Sequence, residues 1–400
     1  MQFSIQTKKL TQLLTFVIGV VEKKQVLPIL SHVLFSIKNN QLRLTASDLE
    51  LELICSLSLD TDVKDAEISL PARKLLDICK SLHGDSPITF DLQDHVMHVS
   101  AETAKFRLMT LPASQFPKTM ERGTMEQVTM ERGHQQSSVQ FYMQQSDLKN
   151  ALERVAFAMA VDDFRYYLNG TLIEIIGNKA CFVATDTHRL AYTEQQLEQT
   201  KQKHKSIVPR KAVYELIRLL SGEESVEIKL SDQSIQVSNN LFTFTSKLLE
   251  GEFPNYQRAI PAKNHQVFRI HTALLKEALS RATLLLDQKI QGLYMHLDQG
   301  TLKIMASNQD NEQSEEILHV DYTADALQVS YNAGYLLDIL HVMHTEQLYF
   351  YIADNRSAML EQAGVIADNV ATGTGNATAD DKGTDISTNA SLYLVMPIRD

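Results

Sequence analysis

The 400-residue chain is poor in cysteine: Cys55, Cys79 and Cys181 are an odd number at unrelated spacings. Such a set builds no disulfide framework and suits thiols kept reduced in a cytoplasm. No run of eighteen apolar residues occurs, and the opening MQFSIQTKKL lacks the apolar core of a signal peptide. The expectation is a cytoplasmic protein without membrane insertion or export. The chain is also short of positive charge, with 38 Lys and Arg against 49 Asp and Glu, a formal net charge of −11. Taken alone, that excess of acid argues against a nucleic-acid partner, but net charge does not report how charge is distributed. With 44% apolar and 22% charged residues, the composition is that of an ordinary globular protein.

What the chain does contain is itself, repeated. Thr45-Ala46-Ser47-Asp48 returns as Ala184-Thr185-Asp186, and Pro71 as Pro209, at one offset of 138 residues. Leu10, Leu14 and Val17 return as Leu148, Leu152 and Val155, and the stretch Arg73 to Leu82 returns as Lys211 to Leu220. A fainter third copy follows 122 to 127 residues later, in Leu275-Lys276, Ala306-Ser307 and Tyr335 to Asp338. Three diverged copies of a ~120-residue unit are an architecture, not a catalytic site.

Each copy reads as helices plus short strands. Leu10, Leu13, Leu14, Val17 and Val21 have the spacing of one buried helical face. Alternating stretches follow at 33–37, 41–45 and 49–59, divided by turn residues such as Lys38-Asn39-Asn40. A second helix is expected over 71–82, then strands at 88–92, 96–99 and 106–111. The fold class is α+β: three similar domains, each with two helices packed on antiparallel sheet. The domains are placed at 1–118, 139–260 and 261–400. Between the first two, three tandem pentapeptides of the Thr-Met-Glu-Arg-Gly type make an expanded linker at 119–138. A segment at 364–389, rich in Gly, Ala, Thr, Asn and Asp, reads as a disordered insertion.

On a helical wheel, Leu75, Ile78, Cys79 and Leu82 cluster on one face, with Arg73, Asp77 and Lys80 opposite. In the second copy Val213, Leu216, Ile217 and Leu220 cluster, with Lys211, Glu215 and Arg218 opposite. Helices normally show charge to solvent. Repetition at matched positions of an acidic chain nevertheless points to a surface able to neutralise phosphates without reading sequence.

Eight segments in order then carry a resemblance that covers essentially the whole chain apart from the linker and the insertion. They are 27–30 (LPIL), 45–50 (TASDLE), 71–74 (PARK), 165–170 (RYYLNG), 184–191 (ATDTHRLA), 208–211 (VPRK), 251–256 (GEFPNY) and 396–399 (MPIR). On these the chain resembles the β subunits of bacterial DNA polymerase III, the replicative sliding clamps. The resemblance implies a head-to-tail homodimer closing into a six-domain ring around duplex DNA, a processivity factor with helices lining the hole. It also implies partners: the polymerase III catalytic subunit, clamp-loader subunits, and other polymerases and repair proteins.

By the same resemblance, Lys24, Arg73, Tyr166 and Tyr167 face DNA, joined from the helical pattern by Lys80, Lys211 and Arg218. A hydrophobic cleft for partner peptides maps onto Leu168, Thr185, Thr187, His188, Arg189, Leu190, Pro254, Ala259, Leu394, Met396 and Arg399. Aliphatic side chains and an adaptable methionine suit such a slot, with His and Arg donors on its rim. Thr187 stands where the family often has glycine, and Lys24 where arginine is common. The dimer contact is placed at Lys74, Phe106 and Leu108 of one protomer against Leu284 and Leu285 of the other.

Enzymatic alternatives find little support. Asp186-Thr187-His188 resembles acid–base machinery, but Asp48 holds the equivalent place with no histidine nearby. His95 and His98 lie in a strand pattern and point to opposite faces, while His341 and His344 share a helix face without a third ligand. Gly373-Thr374-Gly375 has neither a preceding strand nor a following helix. No catalytic residue, metal or cofactor is expected. The rivals are a metal-dependent nuclease using Asp186 and His188, and a monomeric scaffold that forms no ring.

Overall fold

The computed structural model describes residues 2–21, 27–60, 63–117, 138–198, 203–261, 266–286, 292–362 and 391–398. The insertion at 364–389, all but the last residue of the linker, Lys24 and Arg399 lie outside the described residues.

Every repeat begins with a strand that runs straight into a helix. Gln2–Gln6 leads to helix α1 (Thr7–Val17), Val139–Gln144 to a helix at Gln145–Ala156, and Gln266–His271 to one at Thr272–Ala282. The same join recurs in mid-repeat, where Ala66–Pro71 leads to α2 (Ala72–Ser81), Lys203–Pro209 to Arg210–Leu219, and Leu327–Asn332 to Ala333–Val342. Proline suits the first two of these mid-repeat starts, because a helix start leaves its N–H unbonded anyway and the ring pre-sets φ. At the third, the Asn332 side chain accepts from the Tyr335 amide at 3.2 Å, satisfying one orphan donor. In α1 the buried residues are Thr7, Leu10, Leu13, Leu14 and Val17, the last four of them from the expected stripe, and Val21 of that stripe is buried beyond the helix end.

The chain folds as two compact units that do not follow the repeats. The first comprises Met1–Ser146 and Lys211–Leu248, the second Asp147–Arg210 and Leu249–Asp400. Unit 1 has a four-stranded sheet, in the order Gln2–Gln6, Pro87–Gln93, Val96–Ala101, Ala104–Met109. Its eight-stranded sheet runs Ala66–Pro71, His32–Lys38, Gln41–Ser47, Leu51–Ser58, Phe242–Lys247, Ser234–Ser238, Ser225–Leu230, Val139–Gln144. Unit 2 has an eight-stranded sheet of Lys203–Pro209, Gly170–Ile176, Lys179–Thr185, Arg189–Gln196, Ser391–Val395, Ala358–Gln362, Gln347–Ile352 and Gln266–His271. Its four-stranded sheet runs Gln313–His319, Thr301–Ser307, Gly292–Asp298, Leu327–Asn332.

The antiparallel strands of each repeat are thus divided between two sheets. Each repeat splits into two four-stranded halves, and a half joins its neighbour's through a shared strand pair. Leu51–Ser58 pairs with Phe242–Lys247, and Arg189–Gln196 pairs with Ser391–Val395, both antiparallel. The physical reason is the exposed edge, whose unpaired N–H and C=O groups are satisfied by a strand from the next repeat.

The cores repeat as well. Phe3 stacks on Phe90 at 4.8 Å and Phe268 on Phe350 at 5.0 Å, each pair directly opposed across the first two strands of its half. Phe141 and Ile228 hold the matching register in the second repeat. One expectation is corrected: Glu215, placed on the solvent face of its helix, is buried. The reason is packing within unit 1. Arg218 binds the Glu215 carboxylate and also donates to the carbonyl oxygens of Thr15 and Phe16, the free end of α1.

Candidate functional site

In unit 2 the segment 185–189 forms a tight polar turn. The Asp186 carboxylate accepts from the amides of His188 and Arg189, each at 2.9 Å. Thr185 Oγ1 donates to the Arg189 carbonyl at 2.7 Å and accepts from the Thr187 amide at 3.1 Å. Closing this turn forces Thr187 to φ +75°, a left-handed value that a β-branched residue adopts at a cost. The first repeat builds the same turn. Asp48 accepts from Glu50 and Leu51, and Leu49 sits at φ +80°.

Arg189 is occupied rather than free on a rim. Its Nε donates to Asp186 Oδ2 at 3.0 Å and its Nη1 to Asp338. The guanidinium lies 4.5 Å from the Tyr335 ring centroid and 5.3 Å from that of Phe157. With 12% of its side chain exposed, it fixes the turn to the helix Ala333–Val342. His188 stays exposed and stacks on Tyr335 at 6.4 Å. Asp338 and Phe157 are participants that sequence reasoning missed, since no local spacing links positions so far apart in the chain.

Beside the turn lies an apolar floor of Leu172, Val183, Leu190, Ile207, Tyr256, Met359 and Leu394. Half-buried Tyr167, Leu249, Phe253, Ala259 and Ile260 pack against it. Leu190 opposes Leu394 in register, and the Met396 amide donates to the His188 carbonyl at 2.8 Å, pinning the last strand to the turn. Leu168 is wholly buried and Pro254 exposed. Of the residues assigned to a cleft, Leu190, Ala259, Leu394, Thr185, Thr187, His188, Arg189 and Met396 gather around one floor and one turn. Further along the same sheet face, Tyr256 donates to Glu174 at 2.7 Å and Tyr192 to Glu194 at 2.8 Å. Burial pushes both phenols well above their usual range.

The residues assigned to DNA fall into two classes. Tyr166, 72% exposed, stands next to Phe164 at 82% on a loop stiffened by a bidentate Arg165–Asp163 pair at 3.0 and 2.8 Å. Hydrogen bonds from Arg165 hold the Asp163 carboxyl down at about 2. Tyr167 is half-buried against Gly251, which has φ +122° and where a Cβ would come within 3.1 Å of the ring. Lys80 is exposed and makes no ion pair among the described residues. Arg73 instead donates through Nη2 to the Val21 carbonyl, Lys211 is paired with Asp48, and Arg218 is tied to Glu215. Three of the four helix cations are therefore already engaged within unit 1.

Of the residues assigned to the dimer contact, Lys74 is exposed and Phe106 half-buried. Leu108 is buried within its own unit, on the same strand face as Phe106. Leu284 is 80% exposed, with Leu285 half-buried beside it. No cluster of three or more His, Cys, Asp or Glu suited to a metal ion occurs among the described residues. None of their helices is long and apolar enough to cross a membrane.

Family comparisons agree along the chain. Models of the DNA polymerase III beta subunit match as N-terminal domain over residues 1–121, central domain over 142–255 and C-terminal domain over 257–368. The beta sliding clamp of Pseudomonas putida is 42% identical over 368 residues, 91% of this chain and 96% of that protein. That of Pseudomonas aeruginosa is 40% identical over 401 residues, covering all of both chains. The crystal structure of the DNA polymerase III subunit beta from Pseudomonas aeruginosa superposes with a TM-score of 0.88 at 38% identity, again over all of both chains. With three domain models in order, full-length relatives and a shared three-domain α+β architecture, the chain belongs to the DNA polymerase III beta subunit family, the bacterial sliding clamps.

Proposed function

We propose that the protein is a cytoplasmic, non-catalytic processivity clamp. Two copies join head to tail around duplex DNA and tether the DNA polymerase III catalytic subunit, clamp-loader subunits and other polymerases and repair proteins through the unit 2 cleft. The domain limits 1–118, 139–260 and 261–400 belong to the same reading.

The observation that carries it is the pair of open sheet edges. Inside the chain, halves of the type ending in Leu51–Ser58 or Arg189–Gln196 always meet halves ending in Phe242–Lys247 or Ser391–Val395. Among the described residues, the two remaining halves stop at four strands, with Gln313–His319 at one edge and Ala104–Met109 at the other. Gln313–His319 holds the place of the first type and Ala104–Met109 that of the second. A partner copy can therefore complete both sheets by the rule the chain already uses twice. Leu284 and Ile317 are exposed on the unit 2 side and Met109 on the unit 1 side, apolar surface of the kind an interface covers.

On the DNA side, Lys80 and Tyr166 are the residues with reach, and Lys24, Arg73, Tyr167, Lys211 and Arg218 complete the proposed surface. Contacts to backbone phosphate alone give affinity without sequence preference, so a closed ring slides. The test is retention after loading on circular DNA against the same DNA linearised, with mass by sedimentation. The expected result is a dimer of about twice 45.1 kDa that stays on the circle and runs off free ends. A monomer, or equal loss from both forms, overturns the reading.

A further inference from the structure

The second repeat's cleft has a counterpart in unit 1 with different chemistry. At the 138-residue offset Leu30 matches Leu168, Leu34 matches Leu172, and the turn at Asp48 matches that at Asp186. The bridge between Ser69 and Leu111 matches that between Ile207 and Leu249. The Lys247 amide donates to the Glu50 carbonyl at 3.0 Å, as the Met396 amide does to His188. Ile29, Leu30 and Phe116 form a floor, with half-buried Leu34, Leu49 and Leu111 packed on it.

One position breaks the parallel. Where unit 2 has Leu190 opposite Leu394, unit 1 has Glu52 opposite Thr245. Glu52 is only 6% exposed, yet it has no hydrogen bond or ion pair among the described residues. Charged groups share its sheet face: Arg43 on the strand Gln41–Ser47, and Lys247 on Phe242–Lys247. Lys247 is held by Glu50 at 3.2 Å, and Asp48 on the adjoining turn by Lys211. Burial alone, with no contribution from these charges, raises the Glu52 carboxyl to about 7.

A desolvated carboxyl without a partner, set beside half-exposed leucines, is a site for a cation carried on an apolar segment. We propose that unit 1 holds a second docking site centred on Glu52, selective for a partner peptide that places an arginine or lysine between aliphatic residues. The charge of Glu52 selects the cation, and Leu34, Leu49 and Leu111 receive the flanking side chains. Cation binding favours the ionised carboxylate, so affinity strengthens as pH rises from 6 to 8. The inference rests on the repeat geometry and stands whether or not two copies close a ring.

The test uses the full chain and two fluorescein-labelled probes, Leu-Leu-Arg-Leu-Leu and the same peptide with citrulline for arginine. The arginine probe is expected to bind at least about tenfold more tightly, and Glu52→Gln to equalise the two. Glu52→Leu, which copies unit 2, serves as the second variant, with folding of both checked by circular dichroism. Equal binding of the two probes to the unaltered chain would overturn the proposal. So would displacement by a polymerase-derived peptide, which would put the probe in the unit 2 cleft. Loss of probe binding as protein concentration rises would make a second copy of the chain the occupant instead.

Discussion

Two residues carry strain or desolvation that substitution can relieve. Burial pushes the Glu52 carboxyl up to about 7, well above its value in an unfolded chain. Its folded form holds the proton more tightly, so stability falls as pH rises through the window from about 4.5 to 7 and stays lower above it. Glu52→Gln should therefore match the parent below pH 4.5 and exceed it at pH 8 by on the order of 2 kcal/mol. Urea unfolding at the two pH values checks this, and a gap that does not widen with pH would mean Glu52 is solvated or paired in solution. Thr187 at φ +75° is the other case. Left-handed backbone costs a β-branched residue on the order of 1–3 kcal/mol, while glycine adopts it freely at the expense of a more disordered unfolded chain. Thr187→Gly should raise the urea midpoint, a net gain of about 1 kcal/mol at unchanged slope. A lower midpoint would show that Thr187 is held there without strain.

At the scale of elements, the helices separate cations that hold the fold from those able to touch DNA. Arg218 neutralises buried Glu215 and takes up two carbonyls at the end of α1. Arg218→Ala leaves a buried carboxylate unpaired, and should cost about 2 kcal/mol or more. Lys80 sits on a helix that shows it to solvent with no ion-pair partner among the described residues. Lys80→Ala should leave stability within about 0.5 kcal/mol but lower the slope of log affinity against log salt by about one per lysine removed. Thermal melts and a salt titration on one duplex separate the two effects. A salt slope unmoved by Lys80→Ala would take this helix face off the DNA.

The same elements mark how far the sequence could be read. Helix limits such as Ala72–Ser81, against an expected 71–82, were legible because apolar spacing and a leading proline both bear on them. The turns at Asp48 and Asp186 were visible as the strongest repeat landmark. Alternation tells which face of a strand is buried, not which strand lies next to it. Nothing in residues 51–58 announces a partner at 242–247, and Arg189 gives no sign of Asp338. Glu215 defeated the helical wheel for a related reason: a wheel knows the helix but not the α1 end that packs on its polar side.

For the whole molecule, the decisive arrangement is the pair of four-stranded sheets whose outer edges have no strand partner among the described residues. Long flat edges invite unspecific pairing, and natural proteins blunt them with charge or cover them. Gln313–His319 places Glu316 in a bidentate pair with Arg281 at 2.8 Å, yet leaves Ile317 58% exposed on the same strand. An edge that protects one position and exposes a large apolar residue at the next suits one specific partner strand. Replacing that residue by a charge should act on association alone, because Ile317 is not buried in its own unit. Ile317→Lys, combined with Leu284→Lys, should give a monomer at micromolar concentration with an unchanged circular dichroism spectrum. Burying two ammonium groups against apolar surface costs more than the interface can recover. The monomer should still bind a polymerase-derived peptide with the parent's affinity, since the residues of the proposed cleft all belong to unit 2. It should no longer remain on circular DNA after loading. A variant that stayed dimeric would place the contact on other edges. One that lost peptide binding together with dimerisation would mean the cleft depends on assembly.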